Sequence, residues 1–262
     1  MKTLRGISLS GNAAAELLSD RTASGFPLVE FDGELLESAE FERAVKKVAA
    51  RRSPPQFTVR NLIAEPLTLL APGESAVVRQ EFARAFRNRC RRAAELHVTE
   101  VGLSFDLERS FTDAAYREKM FLLLHGFFGI LEEFALTLRC TVRLPAPFPP
   151  ERYAAFRRRL QSPRTGLELE LRAFDTELPE PAELAELLSP LRFHSDCWHF
   201  RRDPVIGALP GREVPERIAA AAGTLCAAPR RFYFPVATAA ELADFSEQMS
   251  EKTSEENLPG LR

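Results

Sequence analysis

The sequence predicts an α/β fold, a single (β/α)8 TIM barrel, from three observations. Its 262 residues match the roughly 250 that one such barrel needs. Short β-like runs alternate with helical stretches, which is typical of parallel strands joined by crossover helices. No GxGxxG or GxxxxGKS/T motif occurs, so the phosphate-binding loops that favour an open nucleotide-binding sheet are missing. A doubly wound open sheet is the alternative.

Eight runs have the apolar content and the flanking turn residues of strands. Their number is the number that closes a barrel. In chain order they are Leu4 to Ser10, Phe26 to Gly33, Gln56 to Leu62, Val98 to Asp106, Leu136 to Leu144, Gly166 to Phe174, Leu191 to Asp196 and Arg231 to Val236.

Stretches with helical period lie between these runs. The clearest is Ser75 to Leu96, and another runs from Thr112 to Phe134 with Thr112 or Asp113 as its N-cap. Shorter helices are predicted at Glu34 to Ala50, Pro150 to Leu160, Pro181 to Leu188, Pro215 to Ala222 and Ala239 to Gln248. Residues 1–248 therefore form one barrel domain, and residues 249–262 form a polar C-terminal tail without a periodic apolar face.

The composition indicates a protein with a sizeable core and no general attraction to polyanions. Hydrophobic residues make up 45% and charged residues 27% of the chain, and the net charge is −2. Neither nucleic acid nor a membrane is predicted as a partner. The N-terminus lacks the apolar core of a signal peptide, which predicts a cytoplasmic location. The four cysteines form no CxxC pair and are expected to be reduced, mostly buried thiols: Cys90, Cys140, Cys197 and Cys226.

Alternate residues of a barrel strand face the axis, and here that set is polar and charged. Buried charges must be paired, hydrated or used on a ligand. One interpretation is an internal lattice in which Glu168 or Glu170 pairs with Arg139 or Arg192. The other is a ligand site at the carboxyl ends of the strands, where barrel enzymes place their chemistry. The predicted axial residues are Ser8, Ser10, Glu30, Asp32, Thr58, Arg60, Ser104, Asp106, Arg139, Thr141, Arg143, Glu168, Glu170, Arg172, Arg192, His194 and Asp196.

At that mouth the residue types suit a sugar or a small anion. Arg143 and Arg172 have planar guanidinium groups that can hold a carboxylate or phosphate. Trp198 can stack on a sugar face, or it can anchor a loop over the barrel. Asp32 and Asp106 complete the predicted substrate-binding set.

The order of these segments resembles the xylose-isomerase-like superfamily of sugar isomerases and epimerases, which also includes the endonuclease IV type of nuclease. Residues 65–105, EPLTLLAPGESAVVRQEFARAFRNRCRRAAELHVTEVGLSF, are similar to that family's loop, long helix and fourth strand. Residues 112–142, TDAAYREKMFLLLHGFFGILEEFALTLRCTV, are similar to its next helix and fifth strand. The resemblance covers most of the chain as a pattern of elements.

The resemblance implies a divalent metal held by acids of strands five, six and eight and by a histidine of strand seven. In this sequence the position of the family's strand-five acid is near Thr141 or Arg143, and that of its strand-eight acid is near Pro235, so neither position has an acid. Strand six offers Glu170 or Asp175, and FHSD in strand seven offers His194 and Asp196. We therefore predict no cofactor and a remodelled, metal-free site, with a bound divalent metal as the alternative.

The resemblance implies an isomerase- or epimerase-like enzyme for a small polyhydroxylated or anionic metabolite. Its catalytic residues would be Glu170, His194 and Asp196, although His194 can instead simply hydrogen-bond a neighbouring acid. The alternative is a catalytically silent barrel that binds a ligand or a protein. A repair nuclease would use Arg84 to Arg92 and Phe156 to Leu160 on DNA, but these runs fit solvated helix faces better. The sequence predicts no oligomeric state.

Overall fold

In the computed structural model, eight parallel strands form a closed barrel in chain order, from β1 to β8. The structure describes residues 4–20, 23–63, 76–103, 106–144, 148–160, 162–171, 197–200 and 231–255. Closure is direct, because β1 pairs with both β2 and β8. The strands are β1 Leu4–Leu9, β2 Leu28–Asp32, β3 Gln56–Arg60, β4 Glu100–Leu103, β5 Thr137–Leu144, β6 Thr165–Leu171, β7 Cys197–Phe200 and β8 Arg231–Val236. The predicted TIM barrel is confirmed.

Helices follow most of the described strands, as the crossover connections of parallel strands require. They are α1 Ala14–Ser19, α2 Ala39–Ala49, α3 Ala76–Glu95, α4 Arg109–Thr112, α5 Ala114–Glu133, α6 Pro150–Leu160 and α7 Ala239–Glu255, with 3-10 turns at Ala23–Gly25 and Gly33–Glu37. The helices α1 and α4 were not predicted from the sequence, because they are too short to show a helical period. The helices predicted at Pro181 to Leu188 and Pro215 to Ala222 lie outside the described residues.

Side-chain caps fix where several helices begin. Ser38 Oγ accepts the backbone N–H of Phe41 at 3.2 Å and starts α2, so the stretch before it forms a 3-10 turn and not the predicted helix. Asp113 Oδ1 accepts the N–H of Tyr116 at 2.9 Å and starts α5, which confirms one of the two predicted caps. Because each cap satisfies a backbone donor that has no helical partner, it stabilises that boundary.

At the C-terminal end, α7 continues to Glu255, beyond the predicted end at Gln248. A capping box starts this helix: Thr238 Oγ1 accepts the N–H of Glu241, and Glu241 Oε2 accepts the N–H of Thr238, both at 3.2 Å. Part of the predicted polar tail is therefore helical, which helix propensity allows even without an apolar face.

The apolar core lies between the sheet and the surrounding helices. Ile7 and Leu9 of β1 and Phe31 of β2 are fully buried in it. Phe31 packs edge-on against Phe41 of α2, with ring centroids 4.8 Å apart. These residues alternate with polar ones along each strand, so the apolar set faces the helices and the polar set is left for the axis.

The seventh strand of the barrel is described over Cys197–Phe200. This segment directly follows the predicted run, Leu191 to Asp196, which lies outside the described residues. CWHF has the aromatic content typical of a strand. The fourth strand ends earlier than predicted, at Leu103.

Two further expectations concern thiols and membranes. Cys90 and Cys140 are buried free thiols, as predicted. Burial, helped by the charge of Glu168, raises the pKa of Cys140 from 9.0 to about 12.

Among the described helices, none has the length and apolar content that crossing a bilayer would require.

Candidate functional site

Where β2 and β3 end, an ion pair lines the mouth of the barrel. Arg60 Nε donates to Asp32 Oδ1 at 2.7 Å, and its Nη2 donates to Oδ2 at 3.0 Å. Asn61 Nδ2 adds a bond to Oδ1 at 3.2 Å. Burial alone would lower the pKa of Arg60, but its bond to Asp32 and the charges of Glu30, Asp32 and Glu168 outweigh burial and raise it. The guanidinium is therefore a fixed cation, and Asp32 is held in one orientation.

The backbone after Asp32 explains this geometry. Asn61 has a left-handed backbone with φ of 47°, a conformation that asparagine tolerates. The next residue after Asp32 is Gly33, and a Cβ built there would lie 2.5 Å from the Asn61 carbonyl oxygen and 2.6 Å from Leu62 Cα. Only glycine lets the two loops approach this closely, which is what brings the Asn61 amide to Asp32.

Next to this pair, a polar cleft of about 420 Å³ opens between the loops after β1 and β2. Asp32 and Glu34 line it together with Asn12 and Ser38. It is large enough for a small hydrophilic molecule, and its carboxylates and hydroxyl are the groups that bind sugar hydroxyls. Asp32, a predicted substrate-binding residue, thus lines a cleft at the mouth.

Deeper in the barrel, polar side chains pair between neighbouring strands and, in one case, across the axis from β3 to β8. Ser8 Oγ donates to Glu30 Oε2 at 2.7 Å, and Thr141 Oγ1 donates to Glu168 Oε1 at 2.6 Å. Thr58 Oγ1 and Tyr233 Oη lie 3.3 Å apart. Such contacts require these side chains to face the axis, as predicted for all of them except Tyr233, which the sequence interpretation did not place.

The amino-terminal part of the barrel contains an ion-pair cluster centred on Glu100. Arg139 Nε and Nη2 donate to its two oxygens at 3.0 and 3.2 Å, and Arg231 Nη1 lies 2.8 Å from Oε1. Gly166 faces this cluster, since a Cβ built there would collide with the Arg139 guanidinium. The predicted lattice therefore exists for Arg139, which pairs with Glu100, whereas Arg192 lies outside the described residues.

Glu100 and Arg231 were missed although a signal existed. Glu100 is four residues before Ser104, which was placed on the axis, so the alternation also turns Glu100 toward the axis. Arg231 is likewise two residues before Tyr233 in an alternating run. Applying the period of two to every strand would have found them.

Glu170 lies one inward position beyond Glu168 on β6, and its side chain is only 6% exposed. In the sheet register it is the partner of Arg143 on β5 and of His199 on β7. His199 is in turn the partner of Tyr233 on β8. This arrangement brings an acid, an arginine and a histidine to neighbouring positions near the carboxyl ends of three strands.

His199 is not among the catalytic or substrate-binding residues predicted from the sequence. The remaining predicted residues stand as follows. His194, Asp196 and Arg172 lie outside the described residues. Trp198 is in register with Leu169 and Phe232, both members of the apolar core.

Asp106 is not on a strand. It is exposed after the end of β4, and its Oδ1 accepts the N–H of Arg109 at 2.9 Å. Its own N–H donates to Tyr116 Oη at 3.1 Å. The expectation that Asp106 extends the fourth strand and faces the axis was wrong, because the chain turns into α4 at this point. Its predicted part in substrate binding stays a prediction.

The described residues do not fit the metal site that the resemblance implies. The positions expected to supply acids are Thr141 or Arg143 on β5 and Pro235 on β8, where Pro235 is the register partner of Ser8. The Thr141 hydroxyl already donates to Glu168. Arginine and proline side chains offer no oxygen to a cation, and neither of these two strands has an acid at the position where the resemblance implies one.

Comparison with known proteins identifies the fold. No protein-family model and no curated protein matches the sequence. Among solved structures, a D-psicose 3-epimerase crystallised with D-fructose is similar over 98% of this chain and 100% of its own, with 15% identity and a TM-score of 0.64.

Two further structures are comparable. A 3-keto-D-glucoside 4-epimerase from E. coli matches 97% of this chain and 100% of its own, at 11% identity and a TM-score of 0.61. A xylose isomerase domain protein from Planctomyces limnophilus matches 97% of both chains, at 11% identity and a TM-score of 0.60. The chain has the xylose-isomerase-like TIM-barrel fold, of which it is a sequence-divergent example.

Proposed function

We propose that this protein is an isomerase- or epimerase-like enzyme that acts on a small polyhydroxylated metabolite, or on an anionic derivative of one. The observation that carries the proposal is the buried Glu170 between the register positions of Arg143 and His199. Support comes from structural neighbours whose names describe sugar epimerases, among them one crystallised with D-fructose and one with D-tagatose.

The chemistry assigned to this group is proton transfer next to a carbonyl. Glu170 removes the proton from a carbon that bears a hydroxyl and adjoins a carbonyl, and the electron pair moves onto the carbonyl oxygen to give an enediolate. Return of a proton to the opposite face inverts that carbon and restores the carbonyl. A carboxylate held at a fixed position on a strand is suited to this step, because a general base must lie within hydrogen-bond reach of the proton that it removes.

The neighbouring groups have distinct parts in the proposal. Arg143 and Arg172 balance the charge of the enediolate or hold an anionic substituent, and His199 returns the proton. The predicted roles of His194 and Asp196 stay alternatives to that of His199. Asp32, fixed by Arg60, binds hydroxyl groups from the adjoining cleft, and Trp198 and Asp106 stay predicted contacts with the substrate.

The test is hydrogen exchange at carbon. The protein is incubated in D2O with D-fructose, D-tagatose, D-psicose and their phosphate esters, and loss of carbon-bound hydrogen is followed by proton NMR. We expect at least one ketose to exchange, and Glu170→Gln to slow exchange by about 100-fold or more, as removal of a general base does.

Glu168→Gln is the matched control, because it makes the same change on the same strand at an acid already bonded to Thr141. This variant should keep its rate within about tenfold of the unaltered protein. Exchange that survives Glu170→Gln unchanged would remove Glu170 from the mechanism.

A catalytically silent, ligand-binding barrel is the second candidate. The presence of Arg143 and Pro235 at positions expected to bind metal favours it. In that case a sugar raises the melting temperature of the protein without any exchange of carbon-bound hydrogen, whereas the enzyme shows both.

A further inference from the structure

A second cavity lies between helices on the outside of the barrel. It has a volume of about 320 Å³ and is formed by α4 and the facing sides of α5 and α6. Among the described residues, none of those discussed for the mouth lines it. The described lining residues are Ser110, Phe111, Arg117, Phe121, Arg152, Ala155, Phe156 and Arg159.

The floor of this cavity is aromatic. Phe121 and Phe156 are 3% and 5% exposed, and their ring centroids lie 5.4 Å apart. Phe111 contributes a third ring, held edge-on against Tyr153 at 5.0 Å. Rings fixed in this way offer a flat apolar body a surface that needs no rearrangement.

Three arginines line the same cavity, and each is held in place. Arg117 Nη1 donates to the Ser110 carbonyl at 3.2 Å, and Arg152 Nη1 donates to the Phe111 carbonyl at 3.0 Å. Arg159 donates to Glu118 and lies 4.2 Å above the Phe121 ring. Because a guanidinium carries five N–H donors, each retains donors beyond those used in these bonds.

The described lining of the cavity includes three arginines and no carboxylate. Within the described part of the chain, the acid that pairs with these three cations is Glu118, at 2.6 Å from Arg159 and 4.0 Å from Arg117. Arg152 bonds to a carbonyl oxygen and not to a carboxylate. Such an excess of positive charge over an aromatic floor is complementary to an anion attached to a flat apolar group.

We propose that this cavity binds a phosphate monoester that carries an aromatic group. The phosphate lies against Arg117 and Arg152, and the aromatic group lies on Phe111 and Phe156. The site is separate from the barrel mouth, and binding there does not depend on the function proposed for Glu170.

Isothermal titration calorimetry with phenyl phosphate tests the proposal. Inorganic phosphate and benzyl alcohol each supply half of the proposed recognition, so phenyl phosphate should bind at least about tenfold more tightly than either. Arg152→Ala should weaken phenyl phosphate by about tenfold or more, the loss expected for one charge-assisted bond. Ala155→Trp, at an exposed helix position, should abolish binding by filling the cavity.

Arg158→Ala is the matched control, because it removes an exposed arginine of the same helix that does not line the cavity. It should leave the affinity unchanged, and the melting temperature of each variant verifies folding. Equal loss in Arg152→Ala and Arg158→Ala, full binding in Ala155→Trp, or no preference for phenyl phosphate over its two halves would each overturn the proposal.

Discussion

Replacing Glu100 by glutamine is the most direct test of the charged barrel interior. Glu100 is 15% exposed and pairs with Arg139 and Arg231, whose side chains are 15% and 8% exposed. The substitution keeps the size of the side chain and removes its charge. Two nearly buried guanidinium groups then share one amide oxygen where they had a carboxylate.

The expected magnitude depends on which hydrogen bonds the glutamine can still accept. Oε1 accepts from both arginines and Oε2 accepts only from Arg139, so the amide oxygen can replace Oε1 in part, whereas the bond to Oε2 disappears. Breaking a buried ion pair by removing one partner costs about 3–5 kcal/mol. Because one acceptor remains, we expect Glu100→Gln to lower the free energy of unfolding by about 3 kcal/mol, the lower end of that range.

Urea unfolding at pH 7, followed by circular dichroism, measures this destabilisation. For a chain of this length the midpoint should fall by about 1 M. Glu42→Gln is the control, since it removes the same charge from an exposed pair with Lys46 on α2 and should leave the midpoint unchanged. A Glu100→Gln midpoint equal to that of the control would refute the view that this cluster holds the barrel together.

Three other predictions address the thiols, a loop contact and the metal. The Cys140 thiol has a pKa of about 12 in the folded protein and near 9.0 in the unfolded chain, so the urea midpoint should fall as pH rises above 9.0. Cys140→Ala should make this fall less steep, and an equally steep fall in the variant would contradict the linkage. Gly33→Ala should destabilise the protein by about 1–3 kcal/mol through collision with the Asn61 carbonyl, and an unchanged urea midpoint would disprove it. Purified protein should contain no stoichiometric Mn, Mg or Zn by mass spectrometry, and EDTA should not slow carbon-hydrogen exchange; a bound metal that the activity requires would defeat the remodelled-site proposal.

The fold could be predicted because the alternation of apolar and polar residues within each segment indicates the strands and their buried sides. Alternating apolar residues specify which side of each strand meets the helices, and this assignment is correct for Ser8, Glu30, Thr58 and Glu168. Because axial and outward positions simply alternate, an error of one or two residues in where a strand ends does not change which of its residues face the axis. The barrel and much of its interior could therefore be read from the sequence.

The site was less predictable because it depends on register between strands that are distant in sequence. Glu170 was identified, but its register partner His199 was not predicted as a site residue, because the pairing depends on how β6 and β7 align. The partner of Arg139 likewise depends on which strand is adjacent, which the residue types alone do not specify. Register arises from packing of the whole barrel.

Gly166 links residues on three different strands without making a bond itself. Its missing side chain leaves the volume that the Arg139 guanidinium occupies, and that guanidinium reaches Glu100, which also holds Arg231. A larger residue at this one position on β6 would therefore loosen the contact between β4 and β8, neither of which pairs with β6. In descendants of this chain, we expect a side chain to appear at position 166 only where position 139 has become smaller.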